Sequence, residues 1–239
     1  MLFLFAQTHN LPLLSTTLTM KVFFIPGLGA DKSVFQFLDL DFCEPVHIEW
    51  LKPAPGETLA DYAIRLQQKF IPEDAVIVGL SFGGMLATEI AKRNPGMKVI
   101  LISSAKTYLE IPAYLRAFKK MPLYKWLPHK YLKSFVWRLH NLFGIKSEKP
   151  AVVFKKIFET LDIDFTVWAM QAIVCWRNTD IPSNIIHIHG TLDKVLPYKF
   201  VHCHHTIERG GHLMVMEQHD EISILLKKII NASIYVVKA

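Results

Sequence analysis

Cysteine is scarce in this sequence, which has three cysteines among its 239 residues. Cys43, Cys175 and Cys203 are odd in number and far apart, and they lack the C-x-x-C spacing of redox and zinc motifs. This pattern argues against a disulfide framework and against a zinc site, and it is typical of a reducing compartment. We therefore expect a cytoplasmic protein with no bound metal and no cofactor.

Long apolar runs of transmembrane length are also missing. Residues 1–19 begin with five apolar or aromatic residues, but no Lys or Arg precedes them and the run is far too short to span a bilayer. Three interpretations of this stretch stay open: a weak signal peptide that would lead to secretion, an edge strand, or a leader ahead of a native start at Met20. We expect no stable insertion into a membrane.

Acidic residues are outnumbered, with 21 Asp and Glu against 27 Lys and Arg, and the imbalance is local. Between residues 106 and 180 there are 13 basic and 6 acidic residues, so the net charge of +6 resides in this segment. An anionic substrate or an acidic membrane surface would suit such a segment. A solvated helix face with Lys stems lying over apolar surface would also explain it. Nucleic acid is not an expected partner, because no known binding motif accompanies the charge.

Short apolar runs, each followed by an amphipathic segment, dominate most of the chain. Strands that read as continuous Val/Ile runs and alternate with helices are typical of a parallel sheet covered on both faces. We therefore predict an α/β fold with a mostly parallel sheet of about six strands and helices on both faces. The runs interpreted as strands are 21–27, 45–51, 74–80, 98–105, 184–190 and 203–209.

The alternation stops after Ala105 and resumes near residue 184. The intervening residues contain no convincing strand and are rich in aromatic and basic side chains. The simplest organisation is an α/β core formed by residues 20–105 and 184–239, with a helical cap inserted at 106–183.

The motif G-x-S-x-G occurs where the third apolar run meets the following helix. Gly79, Ser81 and Gly83 fit this motif, and Gly84 adds another small residue. A serine in such a tight strand-to-helix turn projects its hydroxyl above the carboxyl end of the sheet, which favours a nucleophile. The alternative is a glycine-rich turn with a capping serine.

A serine hydroxyl needs a base to remove its proton, and the base usually needs an acid to orient it. Asp193 follows the strand "IIHIHG" in the segment "TLDKVLP", and His212 follows Gly210 and Gly211 after the last apolar run. Both positions lie at the ends of predicted strands. The order Ser81, Asp193, His212 is the one known for this type of fold.

In these segments the chain resembles the α/β-hydrolase superfamily, in its small capped esterase-like branch. The resemblance runs from about Lys21 to the C-terminus, excluding most of the cap. Its anchors are "IPGLGADKSVF", "GLSFGG", "HGTLDKVLP" and "GGHLMVMEQHDEI". The resemblance implies that Ser81 is the nucleophile, His212 the general base and Asp193 the acid that orients it.

The resemblance also implies an oxyanion hole built from the backbone N–H groups of Leu28 and Phe82. Phe82 follows the nucleophile, and Leu28 lies in "IPGLGA", which is similar to the family's H-G-x-G turn. Pro26 stands where the family usually has a histidine that braces this loop, a departure that concerns the loop and leaves Ser81, His212 and Asp193 untouched.

The resemblance leaves several activities open. The first is cleavage of a carboxylic ester or thioester through an acyl-enzyme. The substrate would be a small acyl compound, and the basic segment 106–180 would suit one that carries a negative charge. Acyl transfer and carbon–carbon bond hydrolysis use the same three side chains, and a non-catalytic small-molecule receptor could keep the fold. The acyl group, the alcohol and the oligomeric state are not encoded in these motifs.

Histidines are numerous near the C-terminus and raise a metal hypothesis. His187 and His189 are two residues apart on a predicted strand, and His202 and His204 repeat that spacing. Imidazole is a common metal ligand. No carboxylate is interleaved as in catalytic zinc motifs, however, and such pairs also occur as hydrogen-bonded packing residues. We therefore expect no metal site.

Overall fold

A six-stranded parallel sheet forms the centre of the molecule in the computed structural model, which describes residues 20–117 and 140–234. The strand order is β2-β1-β3-β4-β5-β6, and every neighbouring pair is parallel. The prediction of a parallel sheet of about six strands is therefore confirmed. The strands are β1 (Lys21–Ile25), β2 (Glu44–His47), β3 (Val76–Leu80), β4 (Lys98–Ile102), β5 (Ile185–Gly190) and β6 (His205–Ile207).

Helices cover both faces of this sheet, as the sequence predicts. The α-helices are α1 (Leu59–Phe70), α2 (Phe82–Arg93), α3 (Ala113–Ala117), α4 (Glu148–Glu159), α5 (Ile163–Cys175), α6 (Met214–Glu217) and α7 (His219–Ile234). One apolar core joins α1, α2 and α5 to one face, and a second joins α4, α6 and α7 to the other. Successive residues of a strand point to opposite faces, so Phe23 of β1 packs in the first core and Phe24 in the second.

Two of the helices show how local sequence fixes the start of a helix and its packing. The Thr58 side chain accepts the backbone N–H of Asp61 at 3.2 Å and so caps the start of α1. In α7, Ile222, Leu226 and Ile229 are buried on one stripe, with Leu225 partly buried beside them. This stripe fixes the C-terminal helix against the sheet.

Several elements are shorter than the sequence predicts. The predicted strand 45–51 ends at His47, the strand 98–105 ends at Ile102, and the strand 203–209 comprises only His205–Ile207. After β1, the Asp31 side chain accepts the N–H of Ser33 at 2.8 Å and caps one 3-10 turn, Lys32–Phe35. The segment between Asp193 and β6 contains one further 3-10 turn, Tyr198–Phe200.

The described part of the predicted cap is helical. It contains 3-10 turns at Tyr108–Glu110 and His140–Leu142 besides α3, α4 and α5, and no strand is found in residues 106–117 or 140–183. Two of these helices also contribute to the apolar cores on the faces of the sheet. Phe165 of α5 belongs to the first core and Phe154 of α4 to the second. The limits of the cap stay a prediction.

Some expectations concern residues outside the described ranges. The stretch 1–19, whether leader, signal peptide or edge strand, is one of them, and so are six of the 13 basic residues of the predicted cap, which fall in 118–139. Among the helices that the structure describes, none combines the length and apolarity needed to cross a membrane.

Candidate active site

Ser81 occupies a strained turn between β3 and α2. Its backbone has φ 51° and ψ −116°, a conformation that costs a residue with a Cβ about 1 to 3 kcal/mol. The neighbouring glycines make the turn possible, because a Cβ at Gly79 would lie 2.7 Å from the Gly83 carbonyl oxygen and one at Gly83 would collide with the carbonyl oxygen of Ile25. The Ser81 N–H donates to the carbonyl of Ile102 on β4 at 2.9 Å, which anchors the turn to the sheet.

The structure brings the other two predicted residues next to this serine, and the three are called the triad. His212 Nε2 lies 2.9 Å from Ser81 Oγ, and His212 Nδ1 lies 2.7 Å from Asp193 Oδ2. The three side chains come from the ends of β3, β5 and β6, which meet at the carboxyl edge of the parallel sheet. Asp193 and His212 are buried, whereas Ser81 is half-buried.

The direction of each hydrogen bond in the triad depends on the partners. The ionised carboxylate of Asp193 can only accept, so His212 carries its proton on Nδ1 and its Nε2 accepts from the Ser81 hydroxyl. The other carboxylate oxygen, Asp193 Oδ1, accepts the backbone N–H groups of Val195 at 2.8 Å and Leu196 at 2.9 Å. The neutral imidazole is therefore arranged to take a proton from Ser81.

The predicted oxyanion donors flank Ser81. Phe82 is the first residue of α2, so its N–H has no intrahelical acceptor. Leu28 lies in the turn closed by the Ala30 N–H and the Gly27 carbonyl at 3.0 Å, and a Cβ on Gly27 would be 3.5 Å from the Ser81 Cβ. The loop after β1 is thus in contact with the serine, and the start of α2 adds a favourable dipole for negative charge there.

Trp50 braces the loop that carries Leu28. Its indole Nε1 donates to the Ala30 carbonyl at 2.7 Å, and its ring lies 5.8 Å from the ring of Phe82. This contact supplies a support for the loop in a chain that has Pro26 in the place of the family's bracing histidine. Sequence reasoning missed Trp50 because the contact joins the loop after β1 to the end of the second apolar run.

The segment before α4 holds the loop that bears His212. The Phe143 carbonyl accepts the N–H of Leu213 at 2.9 Å, and the rings of Phe143 and His212 are 5.8 Å apart. The Glu217 carboxylate accepts the N–H groups of Lys146 and Ser147 at 2.8 and 2.9 Å. Part of the predicted cap is therefore tied directly to the histidine loop, a connection that no local motif indicates.

The C-terminal histidines do not form a metal centre in the described residues. No group of three or more His, Cys, Asp or Glu side chains there is arranged to hold an ion. His187 and His189 are fully buried, with ring centroids 5.3 Å apart, and burial lowers the pKa of both imidazoles. His202 and His204, by contrast, are exposed. All three cysteines are free thiols.

A cavity of about 770 Å³ lies away from the triad, between the start of α1, α2 and α5. Trp168, Trp176 and Lys92 are among its lining residues, and none of the triad lines it. Lys92 is already paired with Glu89 at 2.8 Å, and the Trp176 indole donates to the same carboxylate at 2.7 Å. The lining includes no histidine that could serve as a base, so the triad is the better candidate for chemistry.

Similar folds are known among solved structures. An esterase from Thermogutta terrifontis, solved with malate bound, has a TM-score of 0.70 at 14% identity, and the alignment covers 89% of this chain and 90% of that one. An esterase from Exiguobacterium antarcticum has a TM-score of 0.67 at 17% identity, covering 89% and 92%. A bromoperoxidase from Bacillus anthracis has a TM-score of 0.65 at 16% identity, also covering 89% and 92%. At these identities the likeness shows the fold alone.

Sequence comparison tests whether the chain belongs to a known family. No curated protein sequence matches this chain significantly. The profile of the alpha/beta hydrolase family, however, matches residues 22–223, which is most of the chain and includes all three members of the triad. Together with the six-stranded parallel sheet flanked by helices, this match shows that the chain belongs to the alpha/beta hydrolase family.

Proposed function

We propose that the protein is a serine hydrolase that cleaves a carboxylic ester or thioester through an acyl-enzyme intermediate. The observation that carries the proposal is the continuous hydrogen-bonded series from Ser81 Oγ to His212 and from His212 to Asp193, at 2.9 and 2.7 Å. Two of the similar folds are described as esterases, which agrees with this chemistry.

In the first half of the reaction, Ser81 Oγ attacks the carbonyl carbon of the substrate while His212 Nε2 takes the hydroxyl proton. The carbonyl oxygen becomes an oxyanion that accepts the N–H groups of Leu28 and Phe82, each worth roughly 3 kcal/mol in the transition state. Asp193 stabilises the imidazolium. The bond between the carbonyl carbon and the leaving oxygen or sulfur then breaks, and His212 returns its proton to the leaving group.

In the second half, water enters and attacks the acyl carbon of the ester formed with Ser81. His212 removes a proton from this water, and the oxyanion forms again between the same two N–H groups. Collapse of the intermediate breaks the bond to Ser81 Oγ, which recovers its proton from His212. The carboxylic acid leaves, and the reaction needs no redox partner.

A fluorophosphonate probe tests the proposal, because it reacts only with an activated serine. We expect covalent labelling of the wild-type protein together with turnover of short p-nitrophenyl esters. In Ser81→Ala, labelling should disappear and turnover should fall by on the order of 10⁶-fold, as for removal of other triad nucleophiles. The matched control is Ser33→Ala, which removes a serine hydroxyl outside the triad and should label normally.

An absence of both labelling and turnover in the folded wild-type protein would contradict the proposal and favour a receptor built on the same fold. Rapid labelling with no ester turnover would direct attention to acyl transfer or carbon–carbon cleavage. A panel of p-nitrophenyl esters with increasing acyl length, run beside matching thioesters, would then define the acyl group.

A further inference from the structure

Two histidines of β5 share one face of the strand but have different partners. His187 Nδ1 lies 3.1 Å from Lys106 Nζ, while the ring of His189 reaches the loop that carries Asp193. Both rings are fully buried and meet at an interplanar angle of 87°. The pair therefore offers an internal comparison, because only one of its members contacts the triad.

The position of the His189 proton is set by its contact. His189 Nε2 lies 2.8 Å from the carbonyl oxygen of Leu196, and a carbonyl can only accept, so Nε2 carries the hydrogen. Nδ1 is then unprotonated, and it has no hydrogen-bond partner among the described residues. Burial lowers the pKa of His189 and so favours this neutral form.

Leu196 links His189 to the acid of the triad. Its carbonyl accepts from His189 Nε2, and its own N–H donates to Asp193 Oδ1 at 2.9 Å. The same His189 nitrogen lies 3.5 Å from Asp193 Oδ2, the oxygen that accepts from His212. The imidazole thus contacts the residue whose N–H fixes one carboxylate oxygen and, more distantly, it contacts the other carboxylate oxygen itself.

We infer that His189 is a positioning residue, which holds Asp193 in line with His212 by fixing Leu196. This inference rests on the proposed function, since it assigns a role within that site. The contact at 2.8 Å is the stronger of the two, so the main effect is geometric: without it the Leu196 carbonyl is released, the backbone of Leu196 can turn, and the N–H of this residue holds the Asp193 carboxylate less firmly.

The test compares His189→Gln with His189→Asn. The Gln amide nitrogen can reach the place of Nε2 and donate to Leu196, whereas the Asn amide ends near the place of Nδ1 and cannot. We expect kcat on a p-nitrophenyl ester to fall by about tenfold to a hundredfold in His189→Asn, the range seen when a catalytic group is misplaced by about 1 Å, and to stay within about threefold of wild type in His189→Gln.

A spectroscopic readout separates positioning from general packing. The His212 Nδ1 proton, shared with a carboxylate at 2.7 Å, should give a strongly downfield proton NMR resonance. We expect this resonance to be lost or moved upfield in His189→Asn and kept in His189→Gln. The matched control is His187→Asn, equally buried on the same strand face but in contact with Lys106, which should leave both the resonance and kcat unchanged.

The inference is overturned if His189→Asn keeps the resonance and kcat, or if His187→Asn changes them as much as His189→Asn does. Should His189→Asn fail to fold, His189→Met, which fills the space without a donor, takes its place with the same expected losses. Failure of the proposed function is recognised separately, because the wild-type protein would then not react with the fluorophosphonate although its NMR resonance is present.

Discussion

Two polar clusters lie beside β4 and β5, and they differ in whether an outer atom of the hydrogen-bonded network is accessible. The triad ends at a half-buried hydroxyl on a strained backbone. The second cluster, here called the lysine cluster, consists of Lys106, Glu110 and His187, all buried. Lys106 Nζ lies 2.9 Å from Glu110 Oε1, and the Glu110 carboxylate also accepts the backbone N–H groups of Lys106 and His202.

The contrast is between a closed network of buried charges and a network that fits the proposed reaction. In the lysine cluster the charged groups are neutralised by each other and by backbone N–H and carbonyl groups, so no reactive atom faces outward. In the triad, the backbone N–H groups fix the carboxylate at one end, while the half-buried hydroxyl at the other end is the atom that would meet a substrate in the proposed function. Burial of ionisable groups is common to both clusters, so it is the accessible terminal atom, and not burial, that distinguishes the proposed active site.

Among the variants that test the difference between the two clusters, Asp193→Asn is expected to have the largest effect, a loss of kcat. The amide has the shape of the carboxylate but can donate to His212 Nδ1, which would place the imidazole proton on Nε2 and stop it from accepting from Ser81. We expect kcat to fall by roughly 10⁴-fold. Steady-state turnover of a p-nitrophenyl ester measures this, with Asp74→Asn, an exposed aspartate outside the triad, as the matched control. A loss of less than tenfold would mean that another group orients His212.

An effect of a different kind is expected for Lys106→Met. This change leaves the Glu110 carboxylate buried without its charge partner, so the free energy of unfolding should fall by about 3 to 5 kcal/mol. Urea unfolding measures the change. At temperatures where the variant is folded, its kcat should stay within about threefold of wild type, because the lysine cluster holds no reacting atom.

The double variant Lys106→Met/Glu110→Gln sharpens the result, since it removes both charges. It should recover part of the lost stability relative to Lys106→Met, and the coupling energy between the two sites should be clearly non-zero. A loss of kcat in the folded Lys106→Met protein comparable to that of Asp193→Asn would break the distinction between the two clusters.

The smallest effect concerns pH. His187 has a pKa well below its ordinary value of 6.5 because its imidazole is buried and Lys106 is nearby. The unfolded chain therefore binds a proton near pH 6.5 that the folded chain does not, so stability is fully present above about pH 6.5 and is lost as the pH falls below it. One such group contributes a slope of up to about 1.4 kcal/mol per pH unit.

Unfolding experiments at pH 7.5 and 5.5 measure this slope. In His187→Asn the dependence should be flatter than in wild type by the contribution of one imidazole, whereas His202→Asn, which alters an exposed ring, should keep the wild-type slope. An unchanged slope in His187→Asn would show that the imidazole becomes protonated inside the folded protein.

Local patterns were sufficient for the parts of this molecule that are built locally. The β3 run is buried on both faces because helices cover both sides, and that burial is what produces an uninterrupted Val/Ile sequence. The spacing around Ser81 reflects contacts of Gly79 and Gly83 with nearby backbone, so it is visible in the sequence as a motif. Asp193 and His212 could be selected because each follows a strand.

Other features depend on contacts between distant segments and left little trace in the sequence. β2 ends at His47 although the apolar run continues, because the following residues make contacts outside the sheet: the Trp50 indole donates to the Ala30 carbonyl and the Leu51 N–H donates to the Tyr62 hydroxyl. β6 is cut to three residues, and just before it the side chain of His204 accepts the backbone N–H of His187. The sequence contained one indication of the role inferred for His189, which is that Asp193 follows it four residues later. This spacing becomes informative only when the loop after β5 is known to fold back onto His189.

The strained conformation of Ser81 has a consequence for how this protein can change over generations. A glycine at this position would adopt φ 51° freely and relieve a cost of about 1 to 3 kcal/mol, so a more robust fold is one substitution away. In the proposed function, a serine at this position therefore lowers the stability of the fold in exchange for reactivity. A lineage released from selection for the reaction would be expected to lose this residue early and gain thermal tolerance in doing so.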